Sequence, residues 1–270
     1  MDAVDPEPGP PCYGVLEQRQ LRDVVDAHIE EIDVLGFTIV DSGLDPVRIE
    51  AIRSRLDGLH AEQAAISGEG MLKADEDIVR CPLAVDDLFL TVATLPPVLD
   101  ICRRVLGENI VLLQQNAVLN RPATQQYQSR WHRDLPYQHF VGSRKLAVNA
   151  LLCVDDFTRQ TGGTVVFPGS HMFAPFPSAR LLHRHEVVVE ARAGSVIMMD
   201  AMLYHRAGVN TSSRTRRGLN HLIGRPLLAQ QIDIPRLLDG RHSDDPFLSG
   251  YLGYQWNPAV SVNDWRKRRL

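Results

Sequence analysis

After Gly107 the chain changes texture, and that change constrains the fold more than any other feature. NIVLLQQNAVLN, KLAVNALLCVDDF, GTVVFPG, HEVVVEARAG, SVIMMD and RRGLNHLIGR are short runs rich in aliphatic residues, punctuated by Gly, Pro, Asn and Asp. Runs of this kind suit strands, and the punctuation suits turns. Several strands at such short spacing build a β-sandwich or a double-sheet jelly roll. Ahead of them the apolar period is helical. Leu21, Val24, Val25, Ile29 and Ile32 predict a helix from about Glu17 to Leu35, ended by Gly36. FTIV then predicts a short strand, and Asp45-Pro46 opens a second helix to about Ala65, with Asp45 as N-cap. Helical pattern returns over about 85–106, interrupted at Pro96-Pro97. The expected organisation is a flexible leader at 1–14 and a single domain at 15–270. Within it, 15–107 form a mostly helical flank, 108–225 the β-core and 226–270 an irregular tail with helical stretches. The polar segment 66–80, with Gly68 and Gly70, predicts a mobile cover over the site.

Composition narrows the class. At 44% hydrophobic and 23% charged, 270 residues fit one soluble globular domain. Twenty-nine Lys+Arg against thirty-three Asp+Glu leave a net charge of −4, which gives no basic field for a nucleic-acid partner. No apolar run approaches the ~18–20 residues that span a bilayer, so no membrane partner is expected. The first residues, acidic and Pro-rich, lack the basic and apolar regions of a signal peptide. Cys12, Cys81, Cys102 and Cys153 lack C-x-x-C spacing, against a disulfide scaffold and against a Cys-ligated zinc site. A cytoplasmic location follows as the expectation.

Chemistry concentrates in RWHRDLPYQHF. His132 and Asp134 are two apart, and in extended backbone such residues project to one side, so an imidazole and a carboxylate converge on one ion. A third candidate ligand, His205, lies near the end of a strand, followed by a turn-rich stretch and a further strand. A hairpin centred between Asn210 and Thr211 would pair His205 with Arg216. The guanidinium would then sit beyond a metal held by His205, placed to fork the far carboxylate of an α-keto acid bound to that metal. Two histidines and one carboxylate leave three coordination positions open, the arrangement of non-haem Fe(II) oxygenases.

HRD, then TGGTVVFPGSH, then HRAGVNTSSRTRR resembles the phytanoyl-CoA dioxygenase family of Fe(II)/2-oxoglutarate oxygenases over about residues 110–225. The resemblance implies a mainly β fold with flanking helices around a double-stranded β-helix (jelly roll, cupin-like) core. It implies Fe(II) held by His132, Asp134 and His205, with 2-oxoglutarate and O₂ as co-substrates. Arg216, eleven residues after the distal His, takes the distal carboxylate of 2-oxoglutarate. The family's N-x-S is matched by Asn210 and Ser212, and its PGSH turn by residues 168–171, read as structural. One departure is Ala207, where many members carry a hydroxyl that assists 2-oxoglutarate. By alignment Asn149 faces 2-oxoglutarate and supplies the missing hydrogen bond, and Gln115 faces the same pocket.

The implied reaction hydroxylates an unactivated C–H bond, with succinate and CO₂ as co-products. Related iron halogenases replace the carboxylate ligand by a small residue; Asp134 is present, so hydroxylation is expected. Tyr137, Gln138, His139 and Phe140 follow the motif and shape the pocket. Arg130, Arg133, Arg144 and Lys145 lie nearby, and nothing resembles an adenine-nucleotide anchor, so the expected substrate is a small polar or charged metabolite. Arg214 shares a strand face with Arg216 and is its competitor. His139, His171, His183, His185 and His221 lack partner spacing and are expected in structural or solvent roles. Two other functions fit a similar ligand set: a cupin-like metal-dependent hydrolase, in which the ion activates water, and a non-catalytic ligand-binding relative.

Overall fold

The computed structural model describes residues 9–67, 75–122 and 127–269. Its nine strands are β1 (Phe37–Asp41), β2 (Ile78–Arg80), β3 (Val111–Asn120), β4 (Ala147–Cys153), β5 (Thr164–Val166), β6 (Val187–Val188), β7 (Ser195–Asp200), β8 (His205–Ala207) and β9 (Arg216–Gly224). They form an antiparallel six-stranded sheet in the order β1-β7-β4-β9-β3-β2 and a three-stranded sheet in the order β6-β5-β8. From β6 to β9 successive strands alternate between the two sheets, as in a jelly roll. Cys153, Ile197 and Met199 of the large sheet close on Val166 of the small one, with Phe157, Val189 and Leu203 completing a buried apolar layer.

The other face of the large sheet lies under helices. These are α1 (Val24–Val34), α2 (Pro46–Ser67), α3 (Leu88–Ala93) and α4 (Pro96–Leu106). α1 begins later than its apolar period suggests, because the Asp23 carboxylate accepts from the Asp26 amide at 2.9 Å and fixes the start there. Asp45 caps α2 as expected, accepting from the Arg48 amide at 2.7 Å. Gly107 ends α4 with φ +93°, a conformation glycine adopts without a Cβ penalty. Ile52, Leu56, Phe89, Ile101 and Leu106 pack onto Leu112, Ala117, Leu152 and Leu219 of the sheet in the main core.

Two expectations need correction. Residues 68–74 of the supposed cover lie outside the described residues, but 78–80 are strand β2, bonded to β3. Residues 226–270 carry helical stretches, as expected. A short helix α5 (Ala179–His185) precedes β6, and α6 (Ile234–Leu238), α7 (Pro246–Tyr251) and α8 (Val262–Lys267) follow β9. Of these, α6 and α7 send Ile234, Leu238 and Tyr251 into the main core, and the Tyr251 hydroxyl donates to the Ala93 carbonyl at 2.6 Å. Finally, β8 and β9 are not a hairpin. β8 pairs with β5, and β9 pairs with β3 and β4, so the turn at 208–215 crosses from one sheet to the other. Among the described residues no helix is long and apolar enough to cross a membrane.

Side-chain parity on the large sheet decides which residues reach the interior. On β9, Leu219, His221 and Ile223 face the helices, while Arg216, Gly218, Asn220 and Leu222 face the space between the sheets. Gly218 makes room for its neighbours there: a Cβ would lie 2.9 Å from Leu151 Cδ1 and 3.0 Å from the Phe157 ring, so both would have to shift. His221 bridges two strands beneath the helices, its Nδ1 3.2 Å from the Ala150 carbonyl and its Nε2 2.9 Å from the Gln115 amide. Burial pushes its pKa down to about 4, so the ring is neutral, in the structural role expected of it.

Candidate metal centre

Backbone pairing assembles the cluster. His132 and His205 form an isolated antiparallel bridge, each amide donating to the other's carbonyl at 3.0 and 3.1 Å. The Asp134 amide donates to the Ala201 carbonyl at 3.0 Å, which continues the zipper two residues on. His132 and Asp134 therefore project together, as their spacing predicts, and His205 meets them from β8. The ligating atoms of the three side chains all lie within 4.8 Å of one another.

Both histidines are set in one tautomer. Nδ1 of His132 lies 2.8 Å from the Arg130 carbonyl, and Nδ1 of His205 lies 3.0 Å from the Leu203 carbonyl. Each Nδ1 thus carries the proton, and each Nε2 lone pair is left for an ion. Burial, with the adjacent His205, pushes the His132 pKa down to about 4, against the pull of Asp134, so the imidazole is held in its neutral, ligating form. Asp134 is oriented by Asn149, whose amide donates to its Oδ2, while Asp134 Oδ1 lies 3.7 Å from His205 Nε2. Two imidazole nitrogens and a carboxylate are a donor set that fits a divalent transition metal.

The motif's central Arg133 is structural. Its guanidinium donates to the carbonyls of Met202 (2.7 Å), Ala174 (3.1 Å), Ser170 (3.0 Å) and Phe173 (2.6 Å) and stacks 3.8 Å over the Tyr204 ring. It ties the PGSH turn to the 201–204 turn that zips onto the metal motif. In that turn Gly169 adopts φ +74°, Ser170 Oγ accepts from the Tyr204 amide at 2.9 Å, and His171 Nε2 bonds the Asp33 carbonyl at 3.0 Å. Arg133→Met keeps the stem's packing but leaves four carbonyls without this donor. Charge-assisted hydrogen bonds contribute about 1.5–3 kcal/mol each, so the unfolding free energy is expected to fall by at least about 3 kcal/mol in urea denaturation. A loss below about 1 kcal/mol would show that water replaces the guanidinium there.

Arg216 is 3% exposed, with its plane 4.2 Å from the Phe157 ring. One terminal nitrogen donates to the Gly162 carbonyl at 2.8 Å, and its buried Nε finds no acceptor. No carboxylate pairs with it among the described residues, and burial pushes its pKa down to about 10. A desolvated cation without a counter-ion is costly unless an anion arrives. Arg214, the rival by parity, is exposed, and Arg217 is taken by Asp57 and Asp155. Asn210 and Ser212 serve the sheet-to-sheet turn. The Asn210 amide donates to the Asn120 and Arg214 carbonyls, both at 2.7 Å, and its oxygen accepts from the Ser212 hydroxyl at 2.6 Å.

Other expected site residues fall elsewhere. Gln115 is turned to the helical face, where it donates to the Phe89 carbonyl at 2.9 Å and accepts from the Leu83 amide at 2.8 Å. Its neighbours Gln114 and Asn116 line the cavity beside His132 and Asp134 in its place, with Asn220 and Gln231. Asn149 does reach the site, but on the Asp134 carboxylate. Of the basic residues behind the charged-metabolite expectation, Arg130 and Arg133 line that cavity, with Arg133 spent on carbonyls, whereas Lys145 pairs with Asp33 at 2.8 Å and Arg144 is exposed. No sequence pattern marks these carboxamides, because β3 is buried on both faces, which erases the alternation of an inward side.

The family model described as phytanoyl-CoA dioxygenase matches residues 32–218. An uncharacterised protein of Mycobacterium tuberculosis is 33% identical over 233 residues, 83% of this chain and 82% of its own length. Ectoine dioxygenase of Nocardia farcinica is 23% identical over 229 residues, 72% of this chain and 76% of that protein. Among solved structures, EctD from S. alaskensis with 2-oxoglutarate and 5-hydroxyectoine superposes with a TM-score of 0.66 at 19% identity, covering 83% of this chain and 85% of that one. The epimerase SnoN, in complex with Fe3+, alpha-ketoglutarate and nogalamycin RO, gives 0.60 at 16% identity, covering 75% and 84%. With a match over more than half its length, this chain belongs to the phytanoyl-CoA dioxygenase family.

Proposed function

We propose that the protein is an Fe(II)- and 2-oxoglutarate-dependent dioxygenase that hydroxylates a C–H bond of a small organic molecule. The observation that carries this reading is Arg216, a buried guanidinium with an unsatisfied Nε and no carboxylate partner, in the same inter-sheet interior as an open-sided His132/Asp134/His205 cluster. A hydrolase that activates metal-bound water has no use for a remote buried cation. A dicarboxylate chelating the ion at one end has a use for it at the other.

In the proposed mechanism His132, Asp134 and His205 would hold the iron, and a cluster of only three protein ligands would leave it open to the keto acid and O₂. Iron, keto acid and O₂ together supply oxidative decarboxylation coupled to insertion of one oxygen atom into a C–H bond, releasing succinate and CO₂. Arg216 fixes the distal carboxylate. The Phe157 ring and the apolar layer around Leu151 and Cys153 exclude water from that carboxylate and so strengthen the contact. Asn149 holds Asp134 on one oxygen, which keeps the other free to ligate. With Nδ1 held by a backbone carbonyl, each imidazole would present Nε2 to the ion.

The test is to supply purified protein with Fe(II), 2-oxoglutarate and O₂. One iron per chain and succinate release that depends on all three are expected, with a compound screen then raising the rate. Hydrolytic activity with Zn(II), indifferent to 2-oxoglutarate, would establish the hydrolase instead.

A further inference from the structure

Two cavities of different character meet at the metal cluster. One, of about 340 Å³, is mixed: His132, Asp134, the carboxamides of Gln114, Asn116 and Asn220 and three arginines share its wall with apolar side chains such as Ile78 and Val118. The other, of about 550 Å³, is walled mainly by hydrocarbon, including Leu113, Leu135, Phe140, Leu222 and Leu228. Both are of a size that holds a small-molecule ligand. Asp134, Pro136 and Gln231 belong to both, so the boundary between mixed and apolar walls falls at the metal ligand itself.

We propose that the substrate is a neutral amphiphile, with a polar head that offers an N–H or O–H donor in the carboxamide cavity and an apolar body in the leucine-lined one. This rests on the oxygenase reading for the chemistry, but the shape argument is independent of it. The donor follows from Asn220, whose buried Oδ1 accepts nothing from the protein. Neutrality follows from the charges nearby: of the three arginines that line the cavity, Arg80 is bonded to Asp75, Arg133 is spent on four backbone carbonyls and Arg130 is engaged, while Asp134 is committed to the cluster. A charged head would enter without a free counter-ion. The body follows from the apolar walls and from the rim, where Tyr137, Phe140 and Leu227 are 90%, 60% and 69% exposed. Such a cluster of exposed apolar side chains at a cavity mouth marks a surface that a ligand covers. An all-polar osmolyte would leave the larger cavity unfilled.

The experiment is calorimetric titration of the anaerobic Fe(II)–2-oxoglutarate protein with butanamide, hexanamide, octanamide and decanamide. Each pair of added methylenes is expected to tighten Kd by about tenfold until the cavity is filled. Decanoate and decylammonium, matched in length but charged, are expected to bind at least about tenfold more weakly than decanamide. Phe140→Gln, at an exposed rim position that folding tolerates, is expected to weaken decanamide by about fivefold and butanamide hardly at all. An affinity that ignores chain length, or a charged head that binds best, overturns the proposal. Failure of the oxygenase reading looks different. The protein would then bind no 2-oxoglutarate in the preceding step, while the chain-length series, run on the metal-free protein, would still show the gradient.

Discussion

His205→Ala is expected to abolish substrate hydroxylation and to strip the protein of iron. With one imidazole gone, a single nitrogen and a carboxylate remain, and the open face becomes a cleft from which a labile divalent ion dissociates. The outer partners of metal ligands alone are worth about 10–100-fold in metal affinity, so loss of a ligand is expected to exceed about a hundredfold. Asn149→Ala supplies the internal scale. It removes the amide that orients Asp134 and is expected to weaken iron by about 10–100-fold with residual turnover. Iron content after dialysis, read beside the circular dichroism of the same sample, separates ligand loss from misfolding. Full turnover by His205→Ala with iron supplied would remove the cluster from the reaction.

Arg216→Ala carries the second large effect, on 2-oxoglutarate. A bidentate, charge-assisted contact in a water-poor site contributes about 1.5–3 kcal/mol per hydrogen bond, and its loss also strands the carboxylate. Binding of 2-oxoglutarate is therefore expected to weaken by at least about tenfold to a hundredfold, at ~1.4 kcal/mol per decade. Lys should restore part of this, since it offers a point charge in place of a planar fork. Iron content should stay near that of the parent, because Arg216 is not among the three clustered ligands. Arg214→Ala, at an exposed position, is expected to change 2-oxoglutarate affinity by less than about twofold. If neither substitution moves the affinity, the hydrolase reading takes precedence.

Much of this is legible in the sequence. The i, i+2 spacing of His132 and Asp134 needs only an extended backbone, and strand length with turn residues suffices for a double-sheet class. What failed was non-local. The register that paired His205 with Arg216 assumed that strands adjacent in sequence are adjacent in space. In a jelly roll the chain instead crosses between sheets at 208–215, so the two residues come from different sheets. Arg216 still points inward because its parity on β9 is set by Leu219 and Ile223, which must face the helices. Gln115 failed for the complementary reason. Both faces of β3 are buried, and the register shift between Leu112 and Gln114 moves the strand's phase, so no pattern in the sequence marks its inward side. The role of Arg133 was equally hidden, since a basic residue in a loop motif says nothing of four carbonyls folded around it.

The solitary cation between the sheets also bears on how long the protein survives. Without an anion, Arg216 is a desolvated charge that the folded state carries and the unfolded chain does not, so it subtracts from stability. A dicarboxylate that binds only the folded form restores that loss by mass action, by about 2.7 kcal/mol when its concentration is a hundred times Kd. On the proposed reading, a cell poor in the keto acid holds more of this chain in opened forms that proteases recognise. The standing amount of enzyme would then follow the supply of its co-substrate without any separate regulator.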